Sequence, residues 1–403
     1  MEPIVSAPGA VPPAVPQRSD PPGRRLGRRV LFAGGAGAAV ATTVATLAGA
    51  EQAGSPPVTT VREAPLSLRD PRVGCRLDGS DESDKVTTAL NLLPADGGEI
   101  FQPVGALGLG SEVRFPTNVT WTGENIGAAI IQPAPGYTGR LVSSGKYNQI
   151  SNVHFYGMRT SDVLLTVRGP RSTFHHLHFG NSGSHAIEFL GKDADTSAHA
   201  NKITDINIED CLGVGILVNK VAYDNEFLNV WVGECQTGIR LLDSACFFDN
   251  LHVWGCRGNG VELREPAHRN IFQNVYLESN GTSGTGSGAD LRQVWGTQFI
   301  GGRLWRNATN GIEVSSSGRT RIMGLDIHDN GAKGILGRDA DMCQVIGNQF
   351  YDDATPRRQE RPIVTVGTSN NWIVTNNVMR AFDHRSGGAS LAGANNVVNG
   401  NIG

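Results

Sequence analysis

From Ile150 onward the chain repeats one spacing: an apolar residue, two others, an apolar or small residue, one other, then a third apolar residue. Eleven such sets run from Ile150, Val153 and Phe155 through Phe227, Val230 and Val232, then Phe272, Val275 and Leu277. The last two are Ile373, Asn376 and Val378, and Val397, Gly400 and Ile402. Their starts lie 21 to 29 residues apart. A Gly followed by an apolar residue comes after most sets, as in Gly215-Ile216, Gly238-Ile239 and Gly334-Ile335, and marks a second short strand. No helix-length amphipathic segment separates the strands, which excludes βαβ folds, and the period is too short for a propeller blade of about 40 residues. The pattern predicts an all-β chain, a single-stranded parallel β-helix of about eleven coils stacked at roughly 4.8 Å. Three positions beyond the third apolar residue stand Ser182, Cys211, Cys235, Cys256, Asn280, Asn307 and Asn330, one per coil. Such a column is expected to be a buried turn stack, with Asn amides bonded along the axis and Cys acting as small hydrophobes.

Before the repeats, Val73-Gly74-Cys75-Arg76-Leu77-Asp78-Gly79-Ser80-Asp81-Glu82-Ser83-Asp84-Lys85, then Ala89-Leu90 and Gly97-Gly98 up to Pro103, resemble the opening of the pectate-lyase-like superfamily. The resemblance implies a right-handed β-helix whose open end is covered by a short N-terminal helical cap, with Asp84 as its N-cap and Val86, Leu90 and Leu93 on the inward face. With the coils it spans about 330 residues. It implies a polysaccharide lyase or glycoside hydrolase type of activity, although this fold hosts many chemistries. The Gly-His-Gly and Asn-x-Asp motifs of polygalacturonases and the clustered calcium-binding aspartates of pectate lyases are missing. Calcium is therefore supported by no motif, and neither a cofactor nor a metal site is expected.

Composition adds little to the fold. The 403 residues carry 52 Gly, 35 Lys plus Arg and 38 Asp plus Glu, for a formal charge of -3. That balance excludes a nucleic-acid-binding field. Six Cys have no CxxC spacing and fit neither a zinc site nor a disulfide scaffold. At the start, Arg28-Arg29-Val30-Leu31-Phe32 precedes an uncharged run that ends in Ala48-Gly49-Ala50. This resembles a twin-arginine (Tat) export signal, which implies a secreted or extracytoplasmic protein with no membrane attachment after signal removal. The expected organisation is a signal peptide at 1–50, a linker at 51–68, a cap and first coils at 69–145, and β-helix repeats at 146–403.

Alternation along the strands sends two columns outward. The inner one reads His154, His178, Asn207, Trp231, His252, Tyr276, Arg303, Asp326, Gln349, Asn377; the outer one reads Tyr156, Gly180, Glu209, Gly233, Trp254, Glu278, Trp305, His328, Tyr351, Met379. A solvated sheet face rarely concentrates so many aromatic side chains, so Trp231, Trp254, Tyr276, Trp305 and Tyr351 are expected to bind substrate by stacking on sugar rings. Glu278, flanked by Trp254 and Trp305, is a candidate general acid raised by desolvation. Asp326, about 11 Å away between backbones, completes an inverting-hydrolase pair. Arg303 lies between them, holding Asp326 ionised or binding a substrate carboxylate. The competing assignment makes His328, Tyr276 or His252 the base of a β-elimination. Insertions at 280–290 and 352–362 leave from the same side and are expected either to wall the groove or to be plain surface loops.

Three readings remain open on this basis. One is an exported enzyme that cleaves a polysaccharide by acid/base hydrolysis or β-elimination. Another is a tailspike-like or adhesin-like protein that binds glycan without cleaving it; a homotrimer is open under any of the readings. The third is a cyclase of secondary metabolism folding an apolar, polyketide-like molecule in the same groove. The expected partner throughout is a polysaccharide or another extended small-molecule ligand.

Overall fold

The eight-residue stretches predicted from the template, such as Glu226–Gly233, Phe247–Trp254 and Ile271–Glu278, stack parallel in constant register, Phe227 on Phe248 and Phe248 on Phe272. The structure, a computed structural model, describes residues 64–193, 197–243, 245–380 and 388–402. The expected signal peptide and the linker up to residue 63 lie outside the described residues. The long strands belong to a 19-stranded sheet, and the short Gly-led strands, such as Val214–Val218 and Thr237–Leu241, form an 11-stranded sheet opposite. The result is a right-handed parallel β-helix of about thirteen turns, with one short helix among the described residues.

The gap of two between the first and second apolar positions has a backbone cause. Asn152, His176, Asp205, Asn229, Asn250 and Asn274 all have φ between 50° and 56°, and Gly301, Gly324 and Gly347 take the same place in later coils. A left-handed residue turns the chain and inserts one unpaired position, and Asn, Asp and Gly bear it at least cost. Strand pairing skips it, running from Asp249 with Gln273 directly to Leu251 with Val275. Each long strand is therefore two strands meeting at a corner, and each coil has three faces. Inside, Phe227, Phe248, Phe272 and Phe299 stack with centroids 4.4, 4.8 and 4.8 Å apart and planes within 7°.

The buried turn column is present. Asn280 Nδ2 donates to Asn307 Oδ1 at 3.0 Å, Asn307 Nδ2 to Asn330 Oδ1 at 2.9 Å, and Asn330 Nδ2 to Gln359 Oε1 at 2.9 Å. Cys211, Cys235 and Cys256 continue it as fully buried thiols. A second ladder, not anticipated, closes the opposite corner two residues before each template. It includes Ser172, Asn201, Asn225, Cys246 and Asn270, linked by bonds such as Asn201 Nδ2 to Asn225 Oδ1 at 2.9 Å. Cys246 and Cys343 sit in that column.

Three boundaries differ from expectation. All eleven templates become rungs, but further rungs precede them, unread because strands such as Gly98–Gln102 and Gly105–Leu109, or Val119–Gly123 and Ala129–Pro133, are separated by loops where later coils have a single left-handed residue. The folded body starts before Arg69: Leu66–Ser67 pairs with Ile100 and Phe101, and Leu66 and Leu68 are buried. In the last coils the inward residues are Val374, Asn377 and Met379, one later than read, because Asn377 bonds Asn348 and Asn401 in the ladder. Asn377 and Met379 thus leave the outward columns, and Val378 follows Gln349.

The cap helix is Ser83–Leu92, with Val86, Ala89 and Leu90 buried. Its N-cap is Glu82, not Asp84, which lies in the first turn. The Glu82 carboxylate accepts from Arg76 N–H and Leu77 N–H at 2.6 and 2.9 Å, while Asp81 Oδ1 accepts from Ser83 N–H at 3.0 Å.

One prediction follows from four half-buried imidazoles. Burial, with His178 beside it, pushes His154 down to about 4, and burial likewise lowers His175, His178 and His185. A histidine depressed in the fold but ordinary when unfolded costs nothing above its unfolded value near 6.5. Below that the unfolded chain binds the proton first, so stability is lost as pH falls from about 6.5 to about 4. His154 alone contributes about 1–2 kcal/mol to that loss after discounting for its partial exposure. Urea denaturation at pH 7.5 and pH 5 reads it, and His154→Gln is expected to flatten the difference; an unchanged difference refutes the assignment.

Candidate functional site

The third face, after the left-handed corner, carries both outward columns in the register read from the sequence as far as Gln349 and Tyr351. Trp231 is 50% exposed and Tyr276 42%. The Trp254 indole lies across the backbone of Gly233, where a Cβ would come within 2.2 Å of the ring, so the absence of a side chain at 233 is what lets this ring lie flat. Trp231 and Trp254 meet edge to face, with centroids 6.3 Å apart and an interplanar angle of 83°. Together with Ile126, Asn207 and Glu209 they bound a cleft of about 430 Å³.

On the next rungs the charged groups pair across adjacent strands. His252 Nε2 lies 3.3 Å from Glu278 Oε2, with the imidazole 5.5 Å from the Trp231 ring and 6.0 Å from Tyr276. Glu278 therefore does not sit dry between two indoles. Its carboxyl leans toward His252 and keeps 31% of its surface in solvent. Arg303 Nη2 lies 3.5 Å from Asp326 Oδ2, and the guanidiniums of Arg303 and Arg306 lie 5.5 and 5.0 Å from the Trp305 ring centre. The site thus brings together Trp231, Trp254, His252, Tyr276, Glu278, Arg303 and Asp326.

His328 is the exception among the outward residues. It is only 5% exposed, stacked 4.3 Å from Tyr351 at 12° and tilted against Trp305 at 5.4 Å. Large rings on both neighbouring rungs cover it, so it packs into the third face and not into solvent. Its Nδ1 is 3.1 Å from Asp329 Oδ2. Asp329 and Asp352, both buried, were not anticipated. Burial pushes Asp352 above the usual carboxylate range, while for Asp329 burial is outweighed by the Asp353 N–H and by His328, which hold it below. The Asp352 carboxyl accepts the N–H groups of Ala354, Arg358 and Gln359 at 3.1, 2.7 and 2.6 Å, fixing the base of the 352–362 insertion. That insertion contributes Asp353 to a cleft of about 470 Å³ with Gln349, Tyr351 and Arg380. The other insertion folds back on its own corner, with Ser283 Oγ on Arg257 O at 2.6 Å. Asp329 had a legible signal: it follows the outer column at the left-handed position also held by Asp210, Glu234, Ser279 and Arg306.

A family described as a right-handed β-helix region matches residues 237–402. No curated protein matches the chain. Among solved structures, the Agl-KA catalytic domain superposes with a TM-score of 0.63 at 13% identity, over 84% of this chain and 68% of that one. The A-module of the Azotobacter vinelandii mannuronan C-5 epimerase AlgE6 gives 0.52 at 14% identity, over 84% and 98%. Tailspike protein 3 of bacteriophage CBA120 gives 0.57 at 11% identity, over 78% and 57%. The repeat, its register and these likenesses agree that the chain has a right-handed parallel β-helix fold.

Proposed function

We propose that this is an exported carbohydrate-active protein that binds a polysaccharide along the third face and cleaves it at uronate units by β-elimination. The observation that carries the reading is the imidazole of His252, held by Glu278 at 3.3 Å between Trp231 and Tyr276, with Arg303 one rung beyond Tyr276. A base oriented by a carboxylate is the arrangement that proton abstraction needs. In the proposed step His252 takes the proton next to the substrate carboxylate. The electrons of that C–H bond become a ring double bond, and the bond to the leaving glycosidic oxygen breaks. Arg303 neutralises the substrate carboxylate, and the Tyr276 hydroxyl protonates the leaving oxygen. The hydrolytic alternative is less well supported, because Glu278 and Asp326 are each engaged by a basic partner. A likeness in fold to a mannuronan C-5 epimerase is consistent with a polysaccharide substrate.

Incubation with a panel of acidic polysaccharides, reading reducing ends and the ultraviolet absorbance of unsaturated uronates, tests the proposal. Both signals are expected to rise together. Reducing ends without absorbance would overturn elimination in favour of hydrolysis by Glu278 and Asp326. Binding with neither signal would favour a glycan-binding protein, a second reading motivated by the high exposure of Trp231 and Tyr276 and by the tailspike likeness.

A further inference from the structure

The second face, formed by the strand halves before the left-handed corner, has a cleft of about 410 Å³ bounded by Gly296, Gln298, Arg319, Arg321, Met342 and Gln344. Gln298, Arg321 and Gln344 stand on three successive rungs. Beside them Trp295, 43% exposed, bridges to Gly318, and a Cβ at Gly318 would lie 2.3 Å from its ring. The glycine lets the indole lie across the next rung, where it stays open to solvent. Among the described residues neither Arg319 nor Arg321 has a carboxylate within ion-pair distance, whereas Arg240, Arg264, Arg292 and Arg303 all do.

We propose that this cleft is a second, non-catalytic binding site for an acidic polysaccharide, separate from the third-face groove and independent of what that groove does. An exposed, fixed indole offers a flat surface for a sugar ring. Two uncommitted guanidiniums recognise a carboxylate or sulfate in a bidentate manner. The amides of Gln298 and Gln344, one rung to either side, both donate and accept, which suits the hydroxyls of adjacent sugars. A nucleic acid does not fit, because two arginines on a chain of formal charge -3 provide no basic track for a phosphate backbone. Gly301, Gly324 and Gly347 turn the chain between this face and the groove, so the two sites look in different directions. A long polymer held here raises its own effective concentration at the groove.

Affinity electrophoresis in gels containing alginate, polygalacturonate or chondroitin sulfate, with dextran as the neutral control, tests the site on the full chain. Retardation by at least one acidic polymer and none by dextran is expected. Trp295→Ala and Arg321→Gln should each weaken retardation about fivefold while leaving turnover of short oligosaccharides unchanged. Both side chains are exposed, and circular dichroism checks that the variants fold. Retardation by dextran, by none of the acidic polymers, or equally in wild type and both variants overturns the proposal. Loss of retardation in Trp231→Ala alone would remove the second site and keep the groove; loss in Trp295→Ala alone would do the reverse.

Discussion

His252→Ala is expected to lower kcat for eliminative cleavage about 10²–10⁴-fold, the usual worth of a positioned general base, with little change in KM. Glu278→Gln retains the shape of the partner 3.3 Å from the imidazole but removes the charge that stabilises the imidazolium, so a smaller loss, also in kcat, is expected. Trp231→Ala should behave differently. Its ring is half exposed and touches no reacting atom, so its removal weakens binding in ground and transition state alike and raises KM. His328→Ala separates the two histidines. Because His328 is buried between Trp305 and Tyr351, its loss is expected to lower the thermal midpoint more than the turnover of the folded protein. Steady-state kinetics on whichever acidic polymer is cleaved reads the rates of all four, and thermal denaturation reads the midpoint of His328→Ala. If His252→Ala keeps more than half the wild-type rate, the base lies elsewhere and the mechanism fails.

Much of this architecture is legible before any coordinates because a β-helix repeats its backbone solutions. One left-handed residue per coil fixes the template spacing, and one buried Cys or Asn per coil fixes the turn, so both recur at constant offsets along the chain. Legibility fails where the repeat is interrupted. In the first rungs the corner opens into loops, and the template dissolves. Near the end, two doublets, Asn376-Asn377 and Val397-Val398, fit the pattern in either of two registers; only the bonds of Asn377 to Asn348 and Asn401 decide between them. At the site, constant register made the neighbours of each side chain readable, so Tyr276, Arg303 and Asp326 fall on successive rungs as expected. Pairing between those neighbours depends on rotamers and on cover by adjacent rings. For that reason the lean of Glu278 toward His252, and the burial of His328, could not be read from alternation.

The largest stability effect is expected at Asn307. Its Oδ1 accepts from both the N–H and the Nδ2 of Asn280 at 3.1 and 3.0 Å, and its Nδ2 donates to Leu277 O at 3.0 Å and Asn330 Oδ1 at 2.9 Å, all in a fully buried column. Alanine there leaves the Asn280 N–H, one Asn280 amide hydrogen and the Leu277 carbonyl without that partner. At about 1–3 kcal/mol for each buried group so stranded, Asn307→Ala should cost about 4 kcal/mol. The exposed corner residue Asn274, which donates to Asp249 Oδ1 at 2.9 Å, should cost about 1 kcal/mol on the same change. Urea denaturation compares the two, and a loss below about 1 kcal/mol at Asn307 would mean that the ladder does not hold the turn. The effect should reach the groove as well. Asn280 lies two residues beyond Glu278, and Asn307 two beyond Trp305, so the ladder pins the strand ends that carry the outer column. In the folded variant the His252 to Glu278 contact loosens, and turnover falls while the KM set by Trp231 does not.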